Sequence, residues 1–388
     1  MLKKLLFAAA TAAAATLPPR NMASTRAAPS KVLLSGPSNI MIADFDGSKF
    51  GVALNKQVPG APTWMAYAKP DLLYAVDENS ATTSLFHIDL AGNKIEQSAN
   101  TTGSNGVVHL AFNKDHTRMV GAAYGSSAID VFDVSNGGLK YIKSVKSNDN
   151  TGPVGDRQEK AHPHQAVLDP TGRYFAVPDL GTDRILILDS DKDSFEVINH
   201  VPIEPAGCGP RHGAFFPAGA AKATHYIVLC EIKNVVNVYS LKYGGDKGIE
   251  FFTEQSISTF PSATPPKAAA GELVIAPDSK SVYASNRLTG EATDNIAHFR
   301  VVQQSAEGSA TCQIKLELVG LTSTGGKLPR MFSISEDGQF VLVGNQDGDL
   351  GVVALKRNPD GTLEKNPAAS IPANTLPNGK GPAFVQQA

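Results

Sequence analysis

The chain has 388 residues, a formal net charge of −2 at pH 7, 35 glycines and 25 prolines. The balanced charge argues against a nucleic-acid partner, which usually requires a basic surface. Many glycines and prolines suit short strands joined by turns, so an all-β domain is the first expectation.

Residues 1–30 predict a targeting segment rather than part of the fold. Lys3 and Lys4 precede a short apolar stretch of Leu, Phe and Ala that ends at Pro18-Pro19. This order is typical of a secretory signal, and the apolar stretch is shorter than the roughly 20 residues of a membrane span. We therefore expect a secreted or cell-surface protein with no integral membrane segment in its mature chain.

Two other destinations stay open at this point. The first acidic residue is Asp44, and an acid-poor leader that contains Arg and Ser also suits an organelle transit peptide. A cytoplasmic protein with an ordinary N-terminal tail is the third possibility. Asn100-Thr101-Thr102 is a glycosylation sequon, which matters only if the chain is exported.

From Lys31 onward, short apolar runs alternate with turn residues, which predicts strands. Six copies of a strand–turn–strand–loop–strand pattern are visible, at spacings of roughly 46 to 61 residues. The copies begin near Pro62, Val108, Pro163, Pro210, Gly271 and Pro329. Gaps between the copies leave room for a fourth strand, such as the one after Gly138. The period predicts a β-propeller with four-stranded blades.

A seventh blade is expected from the two ends of the domain, residues 31–388. Residues 31–46 at the start and the segment from Gly351 to the C-terminus would form it together. Such a joint blade closes the ring and removes open sheet edges. The fold class is therefore all-β, a seven-bladed propeller closed by its N- and C-terminal segments.

The fourth copy shows how this fold would build a site. Arg211 and His212 open its first strand, and Glu231 closes its second. In an antiparallel pair these positions lie at the same sheet edge. The equivalent positions elsewhere are Trp64 with Glu78, His109 with Tyr124, His164 with Asp179, Glu272 with Arg287, and Arg330 with Gln346. We expect them to meet at the mouth of the central channel, although strand ends of this kind can also simply face solvent.

These residue types suggest a small anionic substrate. Arg211, Arg287 and Arg330 are suited to bind carboxylate or phosphate, and histidine and glutamate can exchange protons. No cofactor is indicated. A metal site at His162-Pro163-His164 is not expected, because the proline separates the directions of the two histidines.

The three cysteines are Cys208, Cys230 and Cys312. They are too few and too scattered for a disulfide framework or a zinc cluster. We expect buried free thiols, since Cys is often buried. At most one bridge is possible.

Several motifs together resemble one known family. They are AHPH at residues 161–164, GCGPRH at 207–212, Glu231 after the next strand, SNR at 285–287, and PRMFSISEDGQFVLVGNQD at 329–347. The set resembles the seven-bladed lactonase propellers, which include bacterial-type 6-phosphogluconolactonases and fungal carboxy-cis,cis-muconate cyclases. The leader and the particular residues in these motifs look most like the cyclase branch. Cys230 stands where the family usually has Asn, and Cys208 where a small residue is common.

The resemblance implies roles for individual residues. It places the active-site histidine on His164, the acidic residue on Glu231 and two substrate-binding arginines on Arg211 and Arg287. With the rim positions, the prediction is that His164 and Glu231 are catalytic and that the substrate is bound by Arg211, Arg287, His212, Glu272 and Arg330.

The resemblance implies a metal-independent cycloisomerase that interconverts 3-carboxy-cis,cis-muconate and its muconolactone. The first alternative is a lactone hydrolase of the 6-phosphogluconolactonase type. The second is an exported propeller with an adhesion or antigenic role and an idle site. The oligomeric state is not predicted.

Overall fold

The computed structural model describes residues 29–147, 150–304 and 313–388. Residues 1–28 of the predicted targeting segment and Cys312 lie outside the described residues. The first strand begins at Ser30, which is the last residue of the segment predicted to precede the fold. Within the described residues, the chain forms 28 β-strands, and five short 3-10 turns lie between strands. The 3-10 turns are Tyr124–Ser126, Ser135–Gly137, Asp191–Asp193, Ala373–Thr375 and Pro377–Gly379.

The first half of the chain forms three strands of a blade that the C-terminus completes, then three full blades. The leading strands are β1 (Ser30–Gly36), β2 (Asn39–Phe45) and β3 (Phe50–Gln57). The first blade has β4 (Met65–Ala68), β5 (Leu72–Val76), β6 (Thr82–Asp89) and β7 (Lys94–Thr102). The second has β8 (Val107–Phe112), β9 (Arg118–Ala123), β10 (Ala128–Asp133) and β11 (Lys140–Lys146). The third has β12 (Val167–Leu168), β13 (Tyr174–Asp179), β14 (Arg184–Asp189) and β15 (Glu196–Pro202).

Three further blades follow. The fourth has β16 (Pro210–Phe216), β17 (His225–Cys230), β18 (Val235–Tyr243) and β19 (Ile249–Ser258). The fifth has β20 (Ala269–Ile275), β21 (Ser281–Arg287), β22 (Asn295–Gln304) and β23 (Gln313–Ser323). The sixth has β24 (Lys327–Ile334), β25 (Phe340–Asp347), β26 (Leu350–Lys356) and β27 (Ala369–Pro372). The last strand is β28 (Phe384–Gln387).

Every sheet has four antiparallel strands, and there are seven such sheets in the described chain. The prediction of a seven-bladed propeller is therefore confirmed. The middle strands explain why the apolar runs are continuous rather than alternating: every residue of β17 is buried, because neighbouring blades cover both faces of the sheet. The core lies between blades. Leu229 and Val236 of the fourth blade, for example, pack with Leu273 and Ala284 of the fifth.

The ring is closed by β28, which pairs antiparallel with β1 from Ser35↔Phe384 to Val32↔Gln387. This closing blade has the strand order β28-β1-β2-β3. The closure by both termini agrees with the prediction. The prediction that the whole segment from Gly351 onward belongs to the closing blade is wrong. Residues 351–356 belong to β26 and pair with β25 of the sixth blade, so only the final strand crosses to the closing blade.

The inner strands of four blades share a register shift near their starts. It falls between Val107 and His109, Pro210 and His212, Ala270 and Leu273, and Pro329 and Met331. At each shift the inner strand contains one residue more than its partner, which is a β-bulge. Bulges bend a strand and redirect its side chains. Here they lie where the inner strands approach the axis.

Phe384 lies on the closing strand β28 and packs against a residue of the axial site. Its side chain is buried, and its ring meets that of Trp64 of the first blade edge-on at 5.4 Å. Replacing Phe384 by Ala is expected to lower the free energy of unfolding by about 3–5 kcal/mol, because a buried aromatic side chain is lost. Chemical denaturation followed by circular dichroism measures this. The control is Phe252→Ala, since Phe252 is 50% exposed and its loss should cost no more than about 0.5 kcal/mol. Equal effects would contradict the closing role of Phe384.

Candidate active site

A buried carboxylate held by three guanidiniums forms one side of the axial site. Glu231 follows β17 directly, and its Oε2 lies 2.8 Å from Nε of Arg211 and 3.0 Å from Nη2 of Arg287. Its Oε1 contacts Nη2 of Arg157. Backbone carbonyls hold the same arginines: Arg211 donates to Gly271 O at 2.7 Å and Arg287 to Ala270 O at 2.8 Å. The pairing of β16 with β17 thus brings Arg211 to Glu231, as predicted.

Glu231 is ionised over the whole physiological range. Burial acts to raise its pKa, but the guanidiniums of Arg287, Arg211 and Arg157 outweigh burial and lower the pKa to about 2. Burial, with repulsion from Arg287, lowers the pKa of Arg211 to about 9, so Arg211 remains protonated at pH 7. Glu231 is therefore a weak base and a strong partner for the arginines.

A second ion pair lies on another side of the axis. Nη2 of Arg330 is 2.9 Å from Oε2 of Glu78. Burial acts to raise the pKa of Glu78, but Arg330 and other donors lower it overall. Arg330 is the extra residue at the register shift of β24, so the bulge brings a rim cation to the axis.

Neutral histidines fill the space between these ion pairs. Nδ1 of His164 lies 3.2 Å from Nε2 of His212, and the ring of His109 packs at 4.0 Å from that of Trp64 and at 5.7 Å from that of His212. Burial and the nearby charge of Arg211 hold the pKa of all three histidines well below the usual value. The three imidazoles are therefore uncharged at neutral pH.

Glu272 lies behind His212, with its Oε1 2.7 Å from Nδ1 of His212. Oε1 also accepts a hydrogen bond from the backbone N–H of Leu273 at 3.0 Å, while Oε2 is buried without a hydrogen-bond partner. Burial raises the pKa of Glu272 to about 8, and Arg211 and Arg287 only partly oppose the rise. Two carboxyl groups of the same rim thus differ in charge at pH 7, because Glu231 contacts three guanidiniums and Glu272 contacts none.

The central space is a small cavity of about 10 Å³ on the propeller axis. Side chains from six blades line it: Thr63, Trp64, Val108, His164, Arg211, His212, Arg330, Met331 and Ala383. This volume is about the room that one water molecule needs and far below the roughly 300 Å³ at which ligand pockets usually begin, so a larger ligand requires the lining side chains to move. Four guanidiniums surround this region against two ionised carboxylates, which leaves a surplus of positive charge.

The structure brings all seven predicted site residues into one connected group. They are His164, Arg211, His212, Glu231, Glu272, Arg287 and Arg330. Two other rim predictions, Asp179 and Gln346, do not join it: neither lines the cavity nor pairs with any of these seven side chains. The carboxylate of Asp179 instead accepts hydrogen bonds from the backbone of His162 and Gly181. His162 lies in a loop, with its ring stacked on that of Tyr124.

Sequence reasoning missed Arg157, which reaches Glu231 from the loop before the third blade. Gln158 anchors this loop: its Nε2 donates to Leu180 O and to Oδ1 of Asp183, each at 2.8 Å. The length of this loop was the available signal, since long loops in compact domains are often functional. Its composition alone does not distinguish Arg157 from the other charged residues beside it.

The expectation of free thiols is wrong for two of the cysteines. Cys208 and Cys230 form a disulfide with a Cα–Cα distance of 5.1 Å. They are 22 residues apart in sequence, but Pro210 pairs with Cys230 across β16 and β17, so the hairpin brings them together. The crosslink lies directly beside Arg211 and Glu231 and ties both ends of the hairpin at the site.

Two features are absent from the described ranges. No cluster of three or more His, Cys, Asp or Glu side chains in residues 29–147, 150–304 and 313–388 is arranged to hold a metal ion. Over the same ranges, no helix has the length and apolar character needed to cross a bilayer.

Comparison with known proteins places this architecture among the seven-bladed β-propellers. The profile of the family "Lactonase, 7-bladed beta-propeller" matches residues 35–375. A probable 6-phosphogluconolactonase of Arthroderma benhamiae is 32% identical over 314 residues, which cover 79% of this chain and 76% of that protein. The chain belongs to the lactonase seven-bladed β-propeller family.

Solved structures agree on the fold. A putative 6-phosphogluconolactonase from Bacteroides uniformis has a TM-score of 0.76 at 24% identity and covers 93% of this chain and 100% of its own. The periplasmic gluconolactonase of Pseudomonas aeruginosa has a TM-score of 0.76 at 22% identity, with coverage of 92% and 99%. These comparisons do not confirm the carboxymuconate cyclase branch suggested by the motifs.

Removal of the Glu231 charge should destabilise the protein. Glu231→Gln is expected to lower the free energy of unfolding by about 3 kcal/mol at pH 7, because it leaves buried guanidiniums uncompensated. The folded-state pKa is depressed, so this stabilisation is complete above the ordinary pKa of roughly 4.3 and is lost as pH falls toward about 2. Denaturation of both proteins across this pH range measures the difference.

The control for Glu231→Gln is Glu317→Gln. Glu317 pairs with Arg300 at 3.8 Å, and both side chains are more than half exposed. Such surface pairs contribute roughly 0–1 kcal/mol. The assigned charge state would be refuted if Glu231→Gln lowered the free energy of unfolding equally at every pH. It would also be refuted if the decrease were no larger than that in the control.

The disulfide makes a separate prediction. Alkylation of the unfolded, unreduced protein should label one of the three cysteines, and prior reduction should raise the count to three. Mass spectrometry of intact protein from an oxidising compartment gives both counts. Three labels without reduction would show that Cys208 and Cys230 are not joined.

Proposed function

We propose that the protein is a lactone hydrolase that opens a small anionic lactone, of the 6-phosphogluconolactone type, at the propeller axis. The observation that carries this proposal is the surplus of guanidiniums around a cavity that His164 also lines. A group of arginines that outnumbers its carboxylate partners favours an anion with several oxygens, such as a phosphate or a carboxylate. The name of the A. benhamiae relative supports the same reaction.

In this proposal the arginines bind and orient, and His164 handles the proton. Arg211 and Arg330 face the cavity from opposite ion pairs, so they can hold the anionic group of the substrate and the oxygen on which charge develops. Nδ1 of His164 contacts His212, which leaves Nε2 for a water molecule that attacks the lactone carbonyl. Glu231 stays ionised and holds Arg157, Arg211 and Arg287 in position, rather than accepting the proton as first expected.

The cycloisomerase reaction remains a second candidate because the motifs resemble that branch. In it, one carboxylate of 3-carboxymuconate adds to the diene and a proton is delivered to the neighbouring carbon. The same guanidiniums would hold the substrate carboxylates, and the near-attack geometry would supply much of the rate. Hydrolysis is preferred because the A. benhamiae relative carries a lactonase name.

We also propose that the protein is exported. The basic and apolar leader supports this, and so does the disulfide, because disulfides persist mainly in oxidising compartments. Asn100, the acceptor of the sequon, is exposed on β7, as glycosylation requires. Mass spectrometry of the mature N-terminus from the native source tests export: an intact leader on the recovered protein would contradict it.

The substrate assay tests the function directly. The purified protein is offered 6-phosphogluconolactone, uncharged gluconolactone and 3-carboxymuconate, and each reaction is followed optically after subtraction of the spontaneous rate. Arg211→Ala and Arg287→Ala are expected to lower kcat/KM for the phosphorylated lactone by roughly 10- to 100-fold. This corresponds to the loss of one hydrogen bond to a charged group, which contributes about 1.5–3 kcal/mol. The loss should be smaller for the uncharged lactone.

Arg173→Ala is the matched control, because Arg173 forms a surface pair with Asp189 and is about half exposed. It should leave the rates unchanged. Turnover of 3-carboxymuconate alone would select the cycloisomerase. Turnover of none of the three would leave the exported propeller with an idle site, and equal losses on charged and uncharged lactones would contradict anion binding by the arginines.

A further inference from the structure

Three side chains form a continuous line from the protein interior to the cavity. Oε1 of Glu272 is 2.7 Å from Nδ1 of His212, and Nε2 of His212 is 3.2 Å from Nδ1 of His164. His164 and His212 line the cavity, but Glu272 does not. Glu272 is buried behind His212, so it reaches the cavity through His212.

The proposed reaction needs a proton acceptor that the other groups do not supply. Glu231 is ionised but too weakly basic, since its pKa is about 2. His164 is buried beside Arg211, and an imidazolium there would add a further positive charge to a cluster of guanidiniums. A base at this position works only if the proton it takes is moved away from the arginines.

Glu272 is built to receive such a proton. Its Oε2 is buried and accepts no hydrogen bond, so the ionised form is incompletely stabilised and the neutral acid is favoured. The groups that face it are His212, Arg211 and Arg287, together with the Leu273 N–H. Burial outweighs the two arginines and raises its pKa to about 8, which is close to the range in which a general base operates effectively.

We propose that Glu272 is the proton reservoir of the site and acts on His164 through His212. Both Glu272 and His212 are then positioning residues, and His164 alone contacts the reacting water. This inference rests on the proposed hydrolysis and adds to it the group whose titration controls the rate.

The proton balance along the line is complete. In the active state Glu272 is ionised and accepts Nδ1–H of His212, whose bare Nε2 accepts Nδ1–H of His164. Nε2 of His164 takes a proton from water as the water oxygen bonds to the lactone carbonyl carbon. The Nδ1 proton of His164 passes to His212, and the Nδ1 proton of His212 passes to Glu272. Both histidines are then neutral again, and Glu272 is protonated.

The return of the proton completes the reaction. The bond between the carbonyl carbon and the ring oxygen breaks, and the ring oxygen takes a proton from Nε2 of His164. The same line then runs in reverse and leaves Glu272 ionised. Lactone and water become a hydroxy acid, and no other reactant is consumed.

The pH profile of Glu272→Gln tests the inference. In the wild type, kcat/KM should rise with pH through about 8, because only ionised Glu272 can accept the proton. The amide preserves the shape and a hydrogen bond but cannot take up a proton. We expect this rise to disappear and kcat at pH 8.5 to fall by about 100-fold, the usual contribution of general base catalysis, with KM little changed. Glu272→Asp, which keeps a carboxyl group, should partly restore the rise.

Glu254→Gln is a matched control within the same chain. Glu254 also pairs with a histidine, Nε2 of His225 at 3.3 Å, at the opposite end of β17 from Glu231. Its pH profile should equal that of the wild type. A pH-dependent rise that persists in Glu272→Gln, or one lost equally in Glu254→Gln, would overturn the proposal.

A measurement without substrate separates this inference from the proposed function. Infrared difference spectra should show the carbonyl band of a protonated carboxyl group that disappears as pH rises through about 8 and that is absent in Glu272→Gln. If none of the lactones is hydrolysed, the proposed function fails and the infrared result alone decides the proton reservoir. Absence of the band in the wild type at neutral pH would overturn it.

Discussion

The carboxylate of Glu231, enclosed by the guanidiniums of Arg157, Arg211 and Arg287, is the interaction on which the axial site depends. Neither sign of charge could be buried here alone, since an unpaired buried ion costs several kcal/mol. Together they fix each other, and backbone carbonyls of β20 hold Arg211 and Arg287 from the other side. The arginines are therefore ordered before any ligand arrives, so binding does not have to supply that ordering.

A second consequence is the separation of two carboxyl groups by their surroundings. Glu231 and Glu272 lie on neighbouring blades and both are buried, yet the pKa of one is about 2 and that of the other about 8. The difference follows from direct contact with guanidiniums in one case and with a neutral imidazole in the other. Such divergence is the usual physical basis for giving one carboxyl group an electrostatic role and the other a proton-transfer role.

The propeller serves this chemistry by its geometry. Its inner strands converge on an axis, so residues from six blades line one small cavity. Register shifts near the strand starts add to this convergence. In a regular strand Arg211 and His212 would point to opposite faces, but with the shift between Pro210 and His212 both line the cavity. The disulfide beside them fixes the same hairpin end.

From the amino-acid sequence alone, the strands, the number of blades and the rim positions of His164, Arg211, Glu231 and Arg287 could be predicted. These follow from local signals, because apolar runs and turn residues define hairpins and antiparallel pairing brings hairpin ends together. Tertiary structure decided the rest: the reach of Arg157 from its loop, the pairing of Cys208 with Cys230, and the position of Glu272 behind His212. Depth below the surface and the charge of a buried group depend on neighbours that are distant in the chain, so no local pattern of residues encodes them.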